Sequence, residues 1–121
     1  IKFFTKLKLL GKHKLQERNT FMYIAMNRFK IILGKEVAFE TIWRGRDSKL
    51  SGVPGFKTFN LIRGDTKDDF TLYASHTTWN SKDDFITWTK SDSFREAHKN
   101  AGVHSNIYKG HPVFEGFEVV I

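Results

Sequence analysis

Cysteine is absent from this chain of 121 residues, which excludes disulfides, thiolate zinc sites, cysteine-held iron–sulfur clusters and any other thiolate-ligated cofactor. Proline occurs only twice, so long stretches are free to form regular elements. No stretch approaches the roughly 18 consecutive apolar residues of a spanning helix, so a transmembrane segment is not expected and cytoplasm is the default compartment. The motifs GxGxxG, GxxxxGK followed by Ser or Thr, HExxH and GxSxG are all missing, which removes support for nucleotide enzymes and common hydrolases. The acidic pairs Asp68–Asp69 and Asp83–Asp84 read as a turn and a helix first turn, where negative charge is favourable, rather than as catalytic carboxylates.

A net charge of +7 would ordinarily raise nucleic acid as a partner. Its distribution argues against one. Lys2, Lys6, Lys8, Lys12, Lys14 and Arg18 are opposed only by Glu17 within residues 1–20, and the rest of the chain is nearly neutral. The first twenty residues therefore read as a basic N-terminal extension. Lysines interrupt its apolar residues, so it lacks the apolar core of a secretory signal. A membrane-surface or transit role and an incidental strand-like arm both fit it, since Ile1, Phe3, Leu7 and Leu9 keep a two-residue period. Residues 21–121 form one domain in this reading, with enough apolar content to bury one core.

From Met22 the patterns become regular. Residues 22–31 predict a strand, 35–47 a helix with Val37, Ala38, Phe39, Ile42 and Trp43 as its apolar stripe, and 56–63 and 70–79 an antiparallel pair joined by GDTKDD. Ser81 with Asp84 predicts a capped helix through Lys90, and Ser93 with Glu96 a second one through Asn100, stopped by Gly102. A loop with His104 and Pro112 leads to a final strand over 114–121. This order is an α+β, ferredoxin-like split βαβ with an antiparallel sheet. Its first strands carry apolar residues on both faces: Tyr23, Phe29 and Ile31 against Met22, Ile24 and Met26, then Phe56 and Ile62 against Phe59 and Leu61. Helices cover one face only, so a face-to-face homodimer is expected to cover the other.

Five histidines, His13, His76, His98, His104 and His111, match no multidentate zinc spacing. His98 is the unusual one, sharing the apolar side of its helix with Phe94, Ala97 and Ala101. Both a core histidine bonded to a backbone carbonyl and a metal ligand fit that placement. Asn27 falls on the strand face of Tyr23, Ala25, Phe29 and Ile31, where an amide is disfavoured and needs partners; a structural bond and a donor aimed into a pocket both account for it. Trp88 lies beside Phe85 on its helix and fits plain core packing equally well.

The stretch TWNSKDDFITWTKSDSFREAH, following VPGFKTFNLIRG, resembles the antibiotic biosynthesis monooxygenase superfamily and especially its IsdG-type haem-degrading branch, over residues 22–121. In that branch an asparagine of the first strand, a tryptophan of the helix after the third strand and a histidine ten residues later form the haem site; here they fall on Asn27, Trp88 and His98. The resemblance implies a dimeric α+β barrel in which His98 is the proximal iron ligand, Asn27 bonds the distal ligand and Trp88 presses on the porphyrin. Haem is then both cofactor and substrate, consumed with O2 and with electrons from an external donor, a reductase or a small-molecule reductant. A cofactor-independent oxygenase of phenolic or quinol substrates and a non-enzymatic haem carrier are the competing readings. Residues 1–20 and Thr58, where relatives often carry glycine, depart from the family core.

Overall fold

In the computed structural model the described residues are 21–46, 48–99 and 105–121. The basic segment 1–20, His104 and the Asn100–Gly102 end of the last predicted helix lie outside them. The order is β1 (Tyr23–Ile32), α1 (Glu36–Arg44), β2 (Phe56–Thr66), β3 (Phe70–Trp79), α2 (Lys82–Thr89), α3 (Asp92–His98), a short 3-10 turn (Ser105–Ile107) and β4 (Val113–Glu118). The strands form one antiparallel sheet in the order β2-β3-β1-β4, which is the ferredoxin-like α+β arrangement expected from the pattern.

Alternation decides what each strand buries. Tyr23, Ala25, Phe29 and Ile31 of β1 are buried under the helices, together with Tyr73 and Trp79 of β3. They divide into two clusters: Tyr23, Ala25, Trp79, Trp88 and Leu50 pack at one end, and Phe29, Ile31, Phe39, Tyr73 and Ile107 at the other. Phe39 is fully buried, so its truncation to alanine would cost about 3–5 kcal/mol.

Three local expectations are corrected. Val37 of α1 faces water at 75% exposure, because the helix turns Glu36 and Glu40 towards the sheet instead. There Glu36 accepts from the Thr71 hydroxyl at 2.8 Å and Glu40 from the Tyr73 phenol at 2.5 Å, one helical turn meeting alternate residues of β3. A bulge between Phe56 and Thr58 brings Phe56 onto the helix side with Phe59 and Leu61 and leaves Ile62 on the other, so the grouping of Phe56 with Ile62 does not hold. The last helix is capped by Ser91, whose hydroxyl accepts from the Phe94 N–H at 3.1 Å, and not by Ser93. Ser81 caps α2 as predicted, accepting from the Asp84 N–H at 3.2 Å.

The Glu40 clasp sets a pH dependence. Its bond to Tyr73 and the nearby Arg63 and Arg44 charges hold its carboxyl below the ordinary glutamate value of 4.5, while burial and the same bond push the Tyr73 phenol up to about 12. A carboxylate with a lowered folded-state pKa stabilises the fold above its unfolded value, and that contribution disappears as pH falls through the folded value. Glu40→Gln should therefore melt a few degrees lower at pH 7, with the gap closing as the pH falls through the lowered value of the Glu40 carboxyl; thermal melts from neutral to acid pH check this, and a constant gap would refute it.

Two glycines are dictated by close approach. Gly55, at φ +84°, lies so near α2 that a Cβ there would stand 2.2 Å from the Asp84 carboxylate. On β4, a Cβ at Gly116 would meet the Tyr23 hydroxyl at 1.7 Å, because the phenol reaches across the sheet and lies on that glycine.

Candidate active site

Asn27 sits on the helix-facing side of β1 between Ala25 and Phe29, each of which belongs to a different core cluster. Across the sheet its row is Leu61, Ser75, Asn27 and Phe114. Asn27 is half-buried, and its amide makes no hydrogen bond to another described residue. An amide on this face, between two apolar clusters, keeps its hydrogen-bonding capacity for a group from outside the sheet.

Trp88 is brought to this face by α2, whose start is fastened twice. Ser81 caps it, and the Asn80 N–H donates to the Gly55 carbonyl at 2.7 Å while Asp84 packs on the Gly55 Cα. The indole lies 5.5 Å from Trp79 and 4.8 Å, edge-on, from Phe94. It is 8% exposed, and its buried Nε1–H has no hydrogen-bond partner among the described residues.

His98 ends α3. Its ring stacks on Phe94 at 4.1 Å and meets Trp88 edge-on at 5.9 Å, so the structure brings this pair together; no hydrogen bond joins Asn27 to either. The Nδ1 atom lies 2.8 Å from the Phe94 carbonyl oxygen. A carbonyl only accepts, so Nδ1 carries the proton and Nε2 keeps its lone pair. Burial above all, with the Arg46 charge adding to it against the Phe94 bond, lowers the affinity of the ring for a second proton. His98 is thus held as neutral imidazole with one nitrogen orientated and the other without a hydrogen bond to a described residue, the state a metal ligand requires.

These atoms fit a haem: an imidazole Nε2 for iron, a half-buried amide, and an indole N–H without an acceptor among the described residues, beside apolar and aromatic walls. His76 faces the other side of the sheet, paired laterally with Met26 and Asn60, and His111 is exposed. No cluster of three or more metal-ligating side chains occurs among the described residues. No described helix is long and apolar enough to cross a membrane.

One residue escaped the sequence reading. Arg46, just beyond α1, is half-buried, lies over the Trp43 ring at 4.4 Å and donates to the Ala97 carbonyl of α3 at 3.4 Å. The signal was there in the spacing, since position 46 continues the buried side of α1 three residues past Trp43. A cavity of about 480 Å³ lies on the β2 side of α1, lined by Glu40, Trp43, Phe59, Leu61, Arg63 and Tyr73 among others; none of the three predicted residues lines it.

Comparison with known proteins gives a consistent picture. A family profile described as antibiotic biosynthesis monooxygenase matches residues 22–100. The chain is similar to a haem-degrading monooxygenase of Halalkalibacterium halodurans, 33% identical over 100 residues covering 82% of this chain and 84% of the relative. It is also similar to a staphylobilin-producing haem oxygenase of Staphylococcus epidermidis, 30% identical over 67% of this chain and 77% of the relative. Among solved structures, the haem-degrader MhuD of Mycobacterium tuberculosis, with two haems bound in its active site, superposes with a TM-score of 0.62 at 24% identity, covering 82% of this chain and 96% of that one, a likeness of fold. The profile spans most of the described domain and the relatives span most of the chain, so this protein belongs to the antibiotic biosynthesis monooxygenase family and is an oxidoreductase.

Proposed function

We propose that this protein binds haem between its helices and the sheet and degrades it, releasing iron. The observation that carries the reading is His98: a half-buried neutral imidazole whose Nδ1 is tied to Phe94 and whose Nε2 is left for a metal, in contact with an indole whose N–H has no acceptor among the described residues. The relatives' haem-degrading activity supports it.

Bound haem supplies the redox chemistry and is itself the substrate, with O2 as oxidant. The residues of the chain supply position. His98 holds the iron side through Nε2, and the Phe94 carbonyl keeps that nitrogen unprotonated. Asn27 would offer an amide N–H from the sheet to a group bound in the pocket. Trp88, braced by Trp79 and Phe94, sets the shape of the pocket against the porphyrin face, and the aromatic walls exclude water. The chain carries no flavin or dinucleotide motif, so the electrons come from a separate reductase or a small-molecule reductant.

A haemin titration followed by reduction tests this directly. A Soret band saturating at one haem per chain, then bleaching under air with ascorbate and releasing iron, is the expected result. A saturating band that does not bleach would make the protein a haem carrier, and no saturable band would leave an oxygenase of phenolic or quinol substrates.

The same domain is proposed to be a homodimer through the uncovered sheet face. Ile62, Val113 and Phe117 are 41%, 56% and 48% exposed there, an apolar surface that a second copy would cover. Residues 1–20 are proposed to be dispensable for this. The fragment 21–121 should sediment as a folded dimer, and a monomer or an unfolded chain would overturn the assignment.

A further inference from the structure

The aromatic side chains that give up an electron most readily are indoles and phenols, and this chain has three of each. Trp88, Trp79 and Tyr23 belong to one core cluster, whereas Trp43, Tyr73 and Tyr108 belong to the other. Within the first cluster the three lie in series. Trp88, which shapes the proposed haem pocket, has its ring 5.5 Å from Trp79; its other ring contacts among the described residues are Phe85, Phe94 and His98, all harder to oxidise than an indole. Trp79 is fully buried and stands directly opposite Tyr23 on the neighbouring strand, and both rings rest against Phe85 at 5.6 Å. Tyr23 in turn stands opposite Glu118 of the edge strand β4. The row Trp79, Tyr23, Glu118 thus runs from the ring against Trp88 to the margin of the sheet, where it ends on an exposed carboxylate.

We propose that Trp79 and Tyr23 form an electron relay that refills the pocket through Trp88 when hydrogen peroxide oxidises the bound haem without opening its ring. The inference rests on the haem reading and adds a protective path to it, one that excludes a competing reaction. An electron moves from Trp79 to oxidised Trp88, and one from Tyr23 replaces it on Trp79. The Trp79 Nε1–H donates to the Thr77 hydroxyl at 2.9 Å, and a hydroxyl is too weak a base to take that proton, so Trp79 passes an electron and keeps its N–H. A phenol behaves differently, because it loses its proton when oxidised. Burial, and after it the Glu118 charge, raises the resting Tyr23 phenol above its ordinary value. The proton is therefore held at rest and has a carboxylate to accept it once the electron has left. Each transit takes one electron and one proton from Tyr23, and two transits supply what one hydrogen peroxide needs to become two waters. Ascorbate, as an external one-electron reductant, returns one electron and one proton to each tyrosyl radical.

The test mixes the haem-loaded whole chain with one equivalent of hydrogen peroxide, without reductant, and records the electron paramagnetic resonance spectrum of the promptly frozen sample. A tyrosyl signal is expected, narrowed when the tyrosines carry ring deuterium. Tyr23→Phe should remove it and leave a tryptophanyl signal, Trp79→Phe should lose most of it although Tyr23 is present, and Tyr73→Phe and Tyr108→Phe should keep it. A second readout separates the relay from packing: Tyr23→Phe should degrade haem under reductant at the unaltered rate, yet with ascorbate present its Soret band should be bleached by fewer equivalents of peroxide. If haem binds but no protein radical forms, if the tyrosyl signal survives in Tyr23→Phe or undiminished in Trp79→Phe, or if peroxide tolerance is unchanged in Tyr23→Phe, the proposal is wrong while the haem reading stands. If no Soret band saturates, the haem reading fails and takes this proposal with it. Should Trp79→Phe lose its native circular dichroism, Tyr23→Phe, which removes a single oxygen, decides against the Tyr73→Phe and Tyr108→Phe controls.

Discussion

His98→Ala should weaken haem binding by on the order of 100-fold and abolish the spectrum of a histidine-ligated iron. Loss of an outer hydrogen-bond partner of a metal ligand typically costs 10–100-fold in affinity, so removal of the ligand itself belongs at or beyond the top of that range. The substitution should spare the fold, because His98 ends α3 and only half of its ring is buried. His76→Ala, His104→Ala and His111→Ala should bind as the unaltered protein does. An unchanged histidine-type spectrum in His98→Ala would move the axial ligand to another residue.

Asn27→Ala and Trp88→Phe should separate binding from chemistry. The axial bond and the burial of a large apolar ring dominate affinity, whereas a single amide donor contributes about 1–3 kcal/mol and acts on the distal ligand. Both variants are therefore expected to bind haem within about tenfold of the unaltered protein and to degrade it at least tenfold more slowly. Trp88→Phe is preferred to Trp88→Ala for a physical reason. Trp88 is the side chain on which Trp79, Phe94 and His98 converge, and its removal would open a cavity costing about 3–5 kcal/mol. The measurement is single-turnover decay of the Soret band at saturating haem, set beside equilibrium affinity from the same preparation. Decay at the rate of the unaltered protein in both variants would reduce the pair to packing residues.

How far the sequence could be read depended on which interactions are local. β3 was legible to the residue, because alternation and the flanking turn are visible within ten positions. The helix-side placement of Asn27 followed from its neighbours at even spacing. The face of α1 was misjudged because a hydropathy stripe counts Val37 as buried and Glu40 as exposed, while the structure reverses them through a bond to Tyr73 that lies 33 residues away. The bulge after Phe56 has no signature of its own; it is a property of two strands together. Ser91 and Ser93 each begin a plausible cap, and the choice between them depends on where the chain leaves α2. In the site, residue types and spacing were legible, but the carbonyl that fixes the tautomer of His98, the unsatisfied indole N–H and the packing of Arg46 over Trp43 are facts of three-dimensional arrangement.

The contact of Tyr23 with Gly116 bears on how the last strand finds its place. β4 is short, lies at the edge of the sheet and pairs only with β1, so a slip by two residues would preserve which side chains face the helices and cost little in backbone bonds. It would, however, carry Phe114 or Glu118 onto the spot where the phenol rests, and neither leaves room for it. The pair therefore works as a key and its slot, admitting one alignment of an otherwise permissive strand. The same alignment sets Phe114 beside Asn27, so the register of this edge strand also decides which side chain neighbours that amide.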